Sequence, residues 1–263
     1  GRGYLGMSGL NAKCSRALWY GFHWASPPQE LDIRTKRIFD RGNLEEERII
    51  SELLEVGIEV YKVIDGAEVP MTGSLTEVQE EIIGFAGHAK GHPDGRVRGL
   101  PESSKPHLLE MKTAKESKFK EFVKKGVKEA NKVYYGQVQI YMHRLGLERA
   151  LFIVSNKNTE ERYYERIRYD KDYAEALVHR EMGIITSDSP PDKISENRNW
   201  IDCKFCNHTD VCHNSAQPSQ NCRTCDCSDI LDDCKWECSY HGKEITQKEQ
   251  EVGCPSWRRG WGL

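Results

Sequence analysis

The cysteines of this chain are distributed very unevenly, and this constrains the fold more than any other feature of the sequence. One cysteine stands alone near the start, and the other nine lie between Cys203 and Cys254. The spacings within this group include Cys203-x2-Cys206 and Cys222-x2-Cys225. One short turn can aim both thiolates of such a pair at one metal ion. Clustered cysteines in a secreted protein would instead indicate disulfides, but the first residues carry no export signal. The pattern therefore favours metal or cluster binding.

Composition indicates a folded chain without a membrane-spanning segment. With 263 residues, the chain is long enough for one substantial domain and a small appendage, or for two modest domains. Apolar residues make up 38% and charged residues 30%, and no apolar run approaches the roughly 20 residues that span a bilayer. We therefore expect a cytoplasmic protein, located in the host cytoplasm if its source is viral. The formal charge of −3 means that any nucleic-acid-binding surface must be a local patch.

Hydrophobic periodicity predicts one α/β body over about residues 4–200. Apolar residues at helical spacing predict three helical segments, over 34–56, 115–144 and 170–182. The first is one helix or two helices joined near Gly42, and the second has a break near Gly126. Runs rich in β-formers predict strands over 58–64, 81–86, 107–112, 150–154 and 163–169. This order predicts a mixed central β-sheet flanked by helices.

Two carboxylates and a lysine are the most informative polar residues. Asp94 lies in a turn rich in Gly, His and Pro, and Glu110 and Lys112 lie in a short apolar strand. Alternation along the strand places Glu110 and Lys112 on one face, while Met111 points into the core. If Asp94 meets them at the sheet edge, the carboxylates form an oxygen-rich site suited to Mg²⁺ or Mn²⁺. Such an ion can polarise a phosphodiester and activate a water, which Lys112 can orient. In isolation, the pattern is more typical of a solvated turn and a charged strand end.

Three residues on the predicted helices extend this set. Glu46, in the pattern Gly42-x3-Glu46, completes a metal site if its carboxylate points inward, although the glutamates at 45–47 form a charge run of the kind that is usually solvated. Gln137 and Tyr141 lie four positions apart on one face of the helix after the strand, so both can reach toward the strand edge. On its own, such a pair is typical of an ordinary helix surface.

The order of helix glutamate, turn aspartate, strand Glu-x-Lys and helix Gln-x3-Tyr resembles the RecB-like branch of the PD-(D/E)xK nuclease superfamily, over most of residues 5–213. The resemblance implies a divalent-metal-dependent DNA nuclease. It implies these roles: Glu46, Asp94 and Glu110 as metal ligands, Lys112 as the catalytic lysine, and Gln137 and Tyr141 as supporting or DNA-contacting residues. Many members carry a histidine where this chain has Glu46, although the Gly-x3-Glu form is also found in the family. The backbone carbonyl of Val154 is a further candidate ligand.

A lysine-rich stretch follows the Glu-x-Lys strand, with eight lysines in the 21 residues from Lys112 to Lys132. Phosphate contacts from such a patch would give sequence-independent, salt-dependent affinity. We predict DNA contacts from four of these lysines: Lys115, Lys118, Lys124 and Lys125. A solvated helix face balanced by glutamates is an equally good interpretation. Four aromatic residues nearby could stack on bases, although at least two of them are expected in the core: Phe119, Phe122, Tyr134 and Tyr135.

A first group of four cysteines lies at the two ends of the predicted α/β body. It consists of Cys14 and the pattern Cys203-x2-Cys206-x5-Cys212. One cysteine before the core and three after it resemble the iron–sulfur staple of RecB-like nucleases in the AddB and CRISPR-adaptation groups. The resemblance implies a structural [4Fe–4S] cluster that closes a long loop. Zn²⁺ bound by the same four thiolates is the alternative.

A second group of candidate ligands lies in the last forty residues. Its members are Cys222, Cys225, Cys238, His241 and Cys254. Their spacing resembles that of a zinc ribbon and suits a tetrahedral Zn²⁺ site, with five candidates for four positions and His241 as the substitute for one cysteine. A segment this short cannot build a sufficient apolar core, so metal binding would drive its folding. The module serves DNA binding, a structural role or docking of a protein partner.

These patterns predict two domains: a nuclease domain over residues 1–213, closed by the first cysteine group, and a small zinc-binding module over residues 214–263. The leading hypothesis is an exonuclease that hydrolyses phosphodiester bonds at the ends of linear DNA, in recombination, replication or DNA degradation. One alternative is a nuclease that trims DNA for CRISPR adaptation. The other is a non-catalytic, metal-stapled DNA-binding protein.

Overall fold

The computed structural model describes residues 2–72, 80–101, 103–260 and 262. The helices and strands in chain order are β1 (Leu5–Gly6), α1 (Ser15–Phe22), α2 (Ile33–Glu55), β2 (Glu59–Ile64), β3 (Ala67–Pro70), β4 (Ile82–Ile83), β5 (Ala89–Gly91), β6 (Gly95–Arg98), β7 (His107–Ala114), α3 (Glu116–Ala130), α4 (Lys132–Leu145), β8 (Arg149–Asn156), β9 (Arg162–Arg168), α5 (Lys171–Thr186), α6 (Ile201–Lys204), α7 (Thr209–His213), β10 (Ser228–Ile230), β11 (Trp236–Cys238), β12 (Lys243–Ile245) and α8 (Gln247–Val252).

The described residues form two compact units, each made of segments that are separate in the sequence. The central-sheet unit comprises Leu31–Ile82 and Gly91–Leu177, and the cysteine-rich unit comprises Gly1–Glu30, Ile83–Lys90 and Val178–Leu263. Neither unit ends at position 213. The assignment of residues 1–213 to a nuclease domain and 214–263 to a zinc module stays a prediction.

The central-sheet unit contains a six-stranded mixed sheet in the order β3-β2-β6-β7-β8-β9. Only β7 and β8 run parallel, and the other neighbours are antiparallel. α2 packs against β2 and β7, while α3 and α4 pack against β7, β8 and β9. The apolar stripe of α2 and one face of the sheet build one hydrophobic core: Ile49, Ile50, Leu53, Val60, Met71, Val97, Leu100, Leu109, Met111, Leu151 and Ile153. The predicted mixed α/β class, with helices flanking a central sheet and a cysteine-rich C-terminal stretch, is confirmed.

Local chemistry explains where the helices begin and break. Asp32 caps α2 by accepting a hydrogen bond from the Thr35 N–H at 2.7 Å, and α2 continues through Gly42 as one helix. α3 breaks at Gly126, whose φ of 73° is unsuited to other residues. The next N–H, of Val127, donates to the Glu165 carboxylate at 2.7 Å instead of to the helix. The predicted break near Gly126 is therefore confirmed, and the alternative of two helices joined near Gly42 is wrong.

The cysteine-rich unit holds short elements. β10, β11 and β12 form an antiparallel sheet, and β1 pairs in parallel with β5 at Leu5 and Ala89. The strand predicted over 81–86 is reduced to the two residues of β4, because a 3₁₀ turn over Phe85–Gly87 follows, with Ala86 at φ 47° and Gly87 at φ 77°. Across all the described residues, no helix is both long enough and apolar enough to cross a membrane.

Candidate active site

The strand β7 presents Glu110 and Lys112 on one face and Met111 on the other. Met111 is 2% exposed and belongs to the core beneath α2, so the two polar side chains project from the opposite face. This follows from the two-residue period of a strand in which the apolar positions are held by packing. The sequence-based expectation for these three residues matches their placement.

Asp94 lies in the turn immediately before β6 and is tied to β7 by a hydrogen bond. Its Oδ2 accepts from the backbone N–H of Met111 at 2.6 Å. β6 and β7 are antiparallel neighbours, with Gly95 opposite Leu109. The start of β6 therefore brings Asp94 beside the Glu-x-Lys segment. One backbone bond therefore fixes the position of this carboxylate.

Glu110 is fully buried, and its two carboxylate oxygens have different surroundings. Oε1 accepts hydrogen bonds from the Lys112 ammonium and from Gln137 Nε2, the latter at 2.6 Å. Oε2 is buried and has no hydrogen-bond partner among the described residues. Burial and the neighbouring carboxylates of Asp94 and Glu46 together raise the pKa of Glu110 to about 8, against the opposing effect of Lys112. A buried oxygen without a partner is costly unless a proton, an ordered water or a cation satisfies it.

Lys112 retains its proton in this environment. Burial lowers the pKa of its ammonium, but the carboxylates of Glu110 and Asp94 more than reverse this and raise it above its ordinary value. The Nζ atom also lies 5.5 Å from the centre of the Tyr134 ring. Lys112 is thus a fixed positive charge beside the carboxylates.

Glu46 extends from α2 toward the same group of residues. It is partly buried, and burial together with the Asp94 carboxylate raises its pKa to about 7, while Lys112 and Lys62 oppose the shift. The preceding residue, Glu45, has a different role, because it accepts from Ser155 Oγ at 2.8 Å and pairs with Arg162. The glutamate run at 45–47 is therefore not a uniformly solvated face.

Gln137 and Tyr141 are buried on one face of α4, with exposures of 6% and 2%. Gln137 donates to Glu110, and the Tyr141 hydroxyl accepts from the His92 backbone N–H at 3.3 Å. Burial raises the pKa of Tyr141, so its hydroxyl keeps its proton. Gly91 makes room for this ring, since a Cβ there would lie 2.5 Å from Tyr141 Cε1. The ordinary-surface interpretation of this pair is wrong for this structure.

Lys62 lies close to the candidate site, and none of the sequence patterns pointed to it. It lies on β2, is 7% exposed, and its positive charge opposes the rise in the pKa of Glu46. The signal available in the sequence was a lysine inside a strand that is otherwise largely apolar, since Val60 and Tyr61 beside it are buried. A buried lysine in such a strand needs a partner carboxylate.

The donor set fits a hard divalent cation. The Asp94 carboxylate raises the pKa of both Glu46 and Glu110, so the three carboxylates are close neighbours. One oxygen of Glu110 has no hydrogen-bond partner among the described residues. Oxygen donors of this kind suit Mg²⁺ or Mn²⁺. Val154, the further candidate for a carbonyl ligand, lies opposite Lys112 in the adjacent strand β8.

The predicted DNA-contacting lysines lie on or next to α3. Lys115, Lys124 and Lys125 are exposed, whereas Lys118 bonds to Glu121 at 2.9 Å and to the Ala130 carbonyl at 2.6 Å, which ties down the broken helix. The prediction that at least two nearby aromatic residues belong to the core is confirmed, because three of them are less than a tenth exposed: Phe119, Phe122 and Tyr135.

The first cysteine group converges within the cysteine-rich unit. Cys14, Cys203, Cys206 and Cys212 line one small cavity, and no disulfide joins any of the ten cysteines, all of which lie among the described residues. Burial raises the pKa of Cys203, and the three other thiols raise it further. Two cations, Arg16 and Lys193, border the same cavity and partly offset the effect of burial on the pKa of Cys212. Four convergent thiols beside two cations fit a thiolate-bound metal or cluster.

The second group also surrounds one cavity. Its lining includes all five predicted candidates: Cys222, Cys225, Cys238, His241 and Cys254. Burial and the neighbouring thiols of Cys225, Cys254 and Cys238 together raise the pKa of Cys222 to about 11. A tighter grouping exists at Cys225, Asp226 and Cys227, whose ligand atoms all lie within 4.8 Å of one another. The cavity is the better candidate metal site, because its donors come from separate segments of the chain and Cys227 does not border it.

Arg223, between the first two candidate ligands, holds this part of the chain in place. It is 1% exposed and donates to the backbone carbonyls of Phe22 and Gly3 at 3.0 and 2.8 Å. Its guanidinium lies 4.0 Å from the Trp24 ring centre and 4.8 Å from that of Trp236. Burial lowers its pKa to about 10. No sequence pattern pointed to this residue.

Comparison with known proteins finds solved structures of similar fold but no protein of similar sequence. No family model matches the chain, and no curated protein has a significantly similar sequence. The chain is similar to the crystal structure of an alkaline exonuclease (LHK-Exo) from Laribacter hongkongensis, with 18% identity and a TM-score of 0.47 over 69% of this chain and 86% of that one. The same exonuclease in complex with dAMP aligns with 16% identity and a TM-score of 0.45 over the same shares. A crystal structure titled SSO0001 aligns with 16% identity and a TM-score of 0.43 over 81% of this chain and 87% of that one.

Proposed function

We propose that this chain is a divalent-metal-dependent DNA exonuclease of the PD-(D/E)xK type, in its RecB-like branch. The observation that carries the proposal is the asymmetry of Glu110. One oxygen of this buried carboxylate is held by Lys112 and Gln137, and the other has no partner among the described residues, next to two more carboxylates. An oxygen that is buried and has no hydrogen-bond partner among the described residues can bind a metal ion, and the two neighbouring carboxylates supply further oxygen donors.

Each residue has a role in this proposal. Glu46, Asp94 and Glu110 hold Mg²⁺ or Mn²⁺, which when bound would polarise the scissile phosphodiester and lower the pKa of a bound water. Lys112 holds a positive charge beside the carboxylates and orients the attacking water. Gln137 keeps Glu110 in place, and Tyr141 supports the turn that carries Asp94. Lys115, Lys124 and Lys125 supply phosphate contacts, to which Lys118 contributes charge.

The cysteine groups hold structural metals in this proposal. Cys14, Cys203, Cys206 and Cys212 bind a [4Fe–4S] cluster, or Zn²⁺ in its place, and Zn²⁺ is bound by four of the five donors of the second group. The zinc-binding segment is also a surface for a protein partner. The substrate is linear DNA, because the RecB-like resemblance favours ends over internal sites.

The direct test of the function is digestion of end-labelled linear DNA and covalently closed DNA with Mg²⁺, Mn²⁺ or EDTA. We expect loss of the linear substrate only, with either metal and not with EDTA, and no loss with Lys112→Ala. Cleavage of closed circles would make the protein an endonuclease. If the wild type leaves every substrate intact while its metals are bound, the catalytic proposal fails and the protein is a DNA-binding one.

Replacing Gly91 with Ala is expected to lower the rate of hydrolysis by about 100-fold. The added Cβ would displace the Tyr141 ring, and a shift of about 1 Å in a group that supports the site has an effect of this order. Gly183→Ala is the matched control, because a Cβ there meets nothing within 4 Å and the residue lies in a helix. Equal rates for both variants would show that the Tyr141 position is irrelevant to hydrolysis.

Without added divalent ions, the stability of the protein is expected to fall as pH rises from 5 to 9. Burial raises the pKa of Glu46 to about 7 and of Glu110 to about 8, from an ordinary value of 4.5. A carboxyl with a raised pKa stabilises the fold while it is protonated, and that contribution is lost as pH passes through the folded-state values. Added Mn²⁺ should restore the melting temperature over this range, by a few °C. Glu110→Gln should weaken the dependence of the melting temperature on pH and on Mn²⁺. Identical melting curves for this variant and the wild type would contradict the raised pKa of Glu110 and its role in binding the ion.

A further inference from the structure

The first three turns of α2 are exposed and carry large apolar side chains. Every residue over 33–44 is exposed except Thr35 and Gly42, which are half-buried. Four apolar residues in this segment have high exposures: Ile33 70%, Ile38 45%, Phe39 54% and Leu44 60%. Large apolar side chains that lie close together on an exposed surface mark an interaction site.

One face of this segment continues directly into the candidate active site. Phe39 and Glu46 are seven residues apart, which is two helical turns, so they lie on the same face of α2. Ile38 precedes Phe39 on that side, and the same face continues to the buried Ile49 and Ile50. Leu44 lies on the opposite side of the helix. Phe39 therefore projects on the side of the carboxylates, about 10 Å from Glu46 along the helix axis.

The segment is also positively charged. Residues 33–44 contain four basic residues and one acidic residue, in a chain whose formal charge is −3. Arg41 is anchored, because it donates to the Lys157 carbonyl at 3.0 Å. The other basic side chains, of Arg34, Lys36 and Arg37, are exposed, and no hydrogen bond or ion pair joins them to another described residue.

We propose that residues 33–44 of α2 form a strand-guiding arm, on which Phe39 stacks against a base of the DNA strand held at the carboxylates while Arg34, Lys36 and Arg37 contact its phosphates. This inference rests on the proposed nuclease function and adds a substrate-positioning site to it. The positive charge favours a nucleic acid over a second copy of the chain, because phosphates neutralise it, whereas a symmetric dimer would bring the same basic segment of each copy together and like charges would repel. Stacked bases rise by about 3.4 Å each, so Phe39 reaches a base about three nucleotides from the scissile phosphate. Exposed aromatic side chains beside basic residues are the common platform for single strands.

The test uses oligonucleotides that carry one 2-aminopurine at successive positions from the end. The oligonucleotides are bound to the full-length chain carrying Glu110→Gln, in which digestion is slowed. The 2-aminopurine fluorescence should be quenched when the probe base is at about the third position. Adding Phe39→Ala should abolish the quenching and Phe39→Trp should restore it. Leu44→Ala, an equally exposed apolar residue on the other side of α2, should leave it unchanged. In the active enzyme, Phe39→Ala should raise KM for DNA about tenfold.

The possible outcomes distinguish a failure of the strand-guiding arm from a failure of the proposed nuclease function. If the wild type digests DNA but no position is quenched and Phe39→Ala matches the wild type, the arm is wrong and the nuclease proposal stands. If the wild type does not digest DNA, the function is wrong, and the arm is judged by the quenching alone, which requires only binding. If quenching is absent and Phe39→Ala instead dissociates a dimer in sedimentation, a second copy occupies this face and the arm is wrong.

Discussion

Replacing Glu110 with Gln is expected to lower the rate of metal-dependent DNA hydrolysis by about 10³-fold. The amide keeps the size of the side chain and an oxygen that accepts from Lys112, so the fold is retained. It replaces the carboxylate whose second oxygen has no partner among the described residues, and a neutral amide is a poor ligand for a hard divalent ion. Losing one preorganised electrostatic interaction at a reacting centre has an effect of this order. Single-turnover digestion of end-labelled DNA measures it.

Glu80→Gln is the matched control for this substitution. Glu80 is also a buried carboxylate of the central-sheet unit, at 3% exposure, and it pairs with Arg96 and accepts from the Val63 N–H at 3.1 Å. Its removal should lower the melting temperature without changing the rate of hydrolysis per folded molecule. Comparable losses of rate in the two variants would mean that any buried carboxylate affects the rate through stability, which would contradict a specific role for Glu110.

Replacing Cys225 with Ser is expected to release one zinc ion per chain and to unfold the sheet of β10, β11 and β12. Such a small sheet has little apolar core of its own, so the proposed zinc ion would supply much of its folding free energy. Because Arg223 lies between Cys222 and Cys225 and bonds to the Gly3 and Phe22 carbonyls, the N-terminal segment should also lose protection. Elemental analysis measures the zinc, and hydrogen exchange measures the protection, which should fall by orders of magnitude at these strands.

Cys227→Ser distinguishes the cavity from the tighter group of three ligand atoms. Its thiol donates to Asp226 at 3.2 Å and does not border the cavity formed by the other candidates. This variant should keep its zinc and its protection from exchange. If Cys227→Ser loses the metal while Cys254→Ser keeps it, the zinc is bound at Cys225, Asp226 and Cys227, and the assignment to the cavity is wrong.

The sequence predicted those parts of the site that depend on local periodicity. The alternation in β7 placed Glu110 and Lys112 on one face, and the four-residue spacing in α4 placed Gln137 and Tyr141 together. Both patterns hold because apolar neighbours fix the orientation of the strand and the helix.

Other features depend on tertiary contacts that no local pattern shows. Glu45 and Glu46 are adjacent glutamates, and only the position of α2 sends the first to Ser155 and Arg162 and the second toward Asp94. β6 was not predicted, because its Gly-Arg-Val-Arg sequence has little strand propensity and its pairing with β2 and β7 supplies the stability. The burial of Lys62 follows from the same packing.

Calorimetric titration with Mn²⁺ tests most directly whether the three carboxylates form the metal site. The protein would carry its structural metals, and wild type, Glu110→Gln and Glu80→Gln would be titrated in parallel at pH 8. The account predicts binding by the wild type and by Glu80→Gln, with loss of that binding in Glu110→Gln. Equal Mn²⁺ binding by all three proteins would contradict it, because the unpaired oxygen of Glu110 would then have no part in holding the ion.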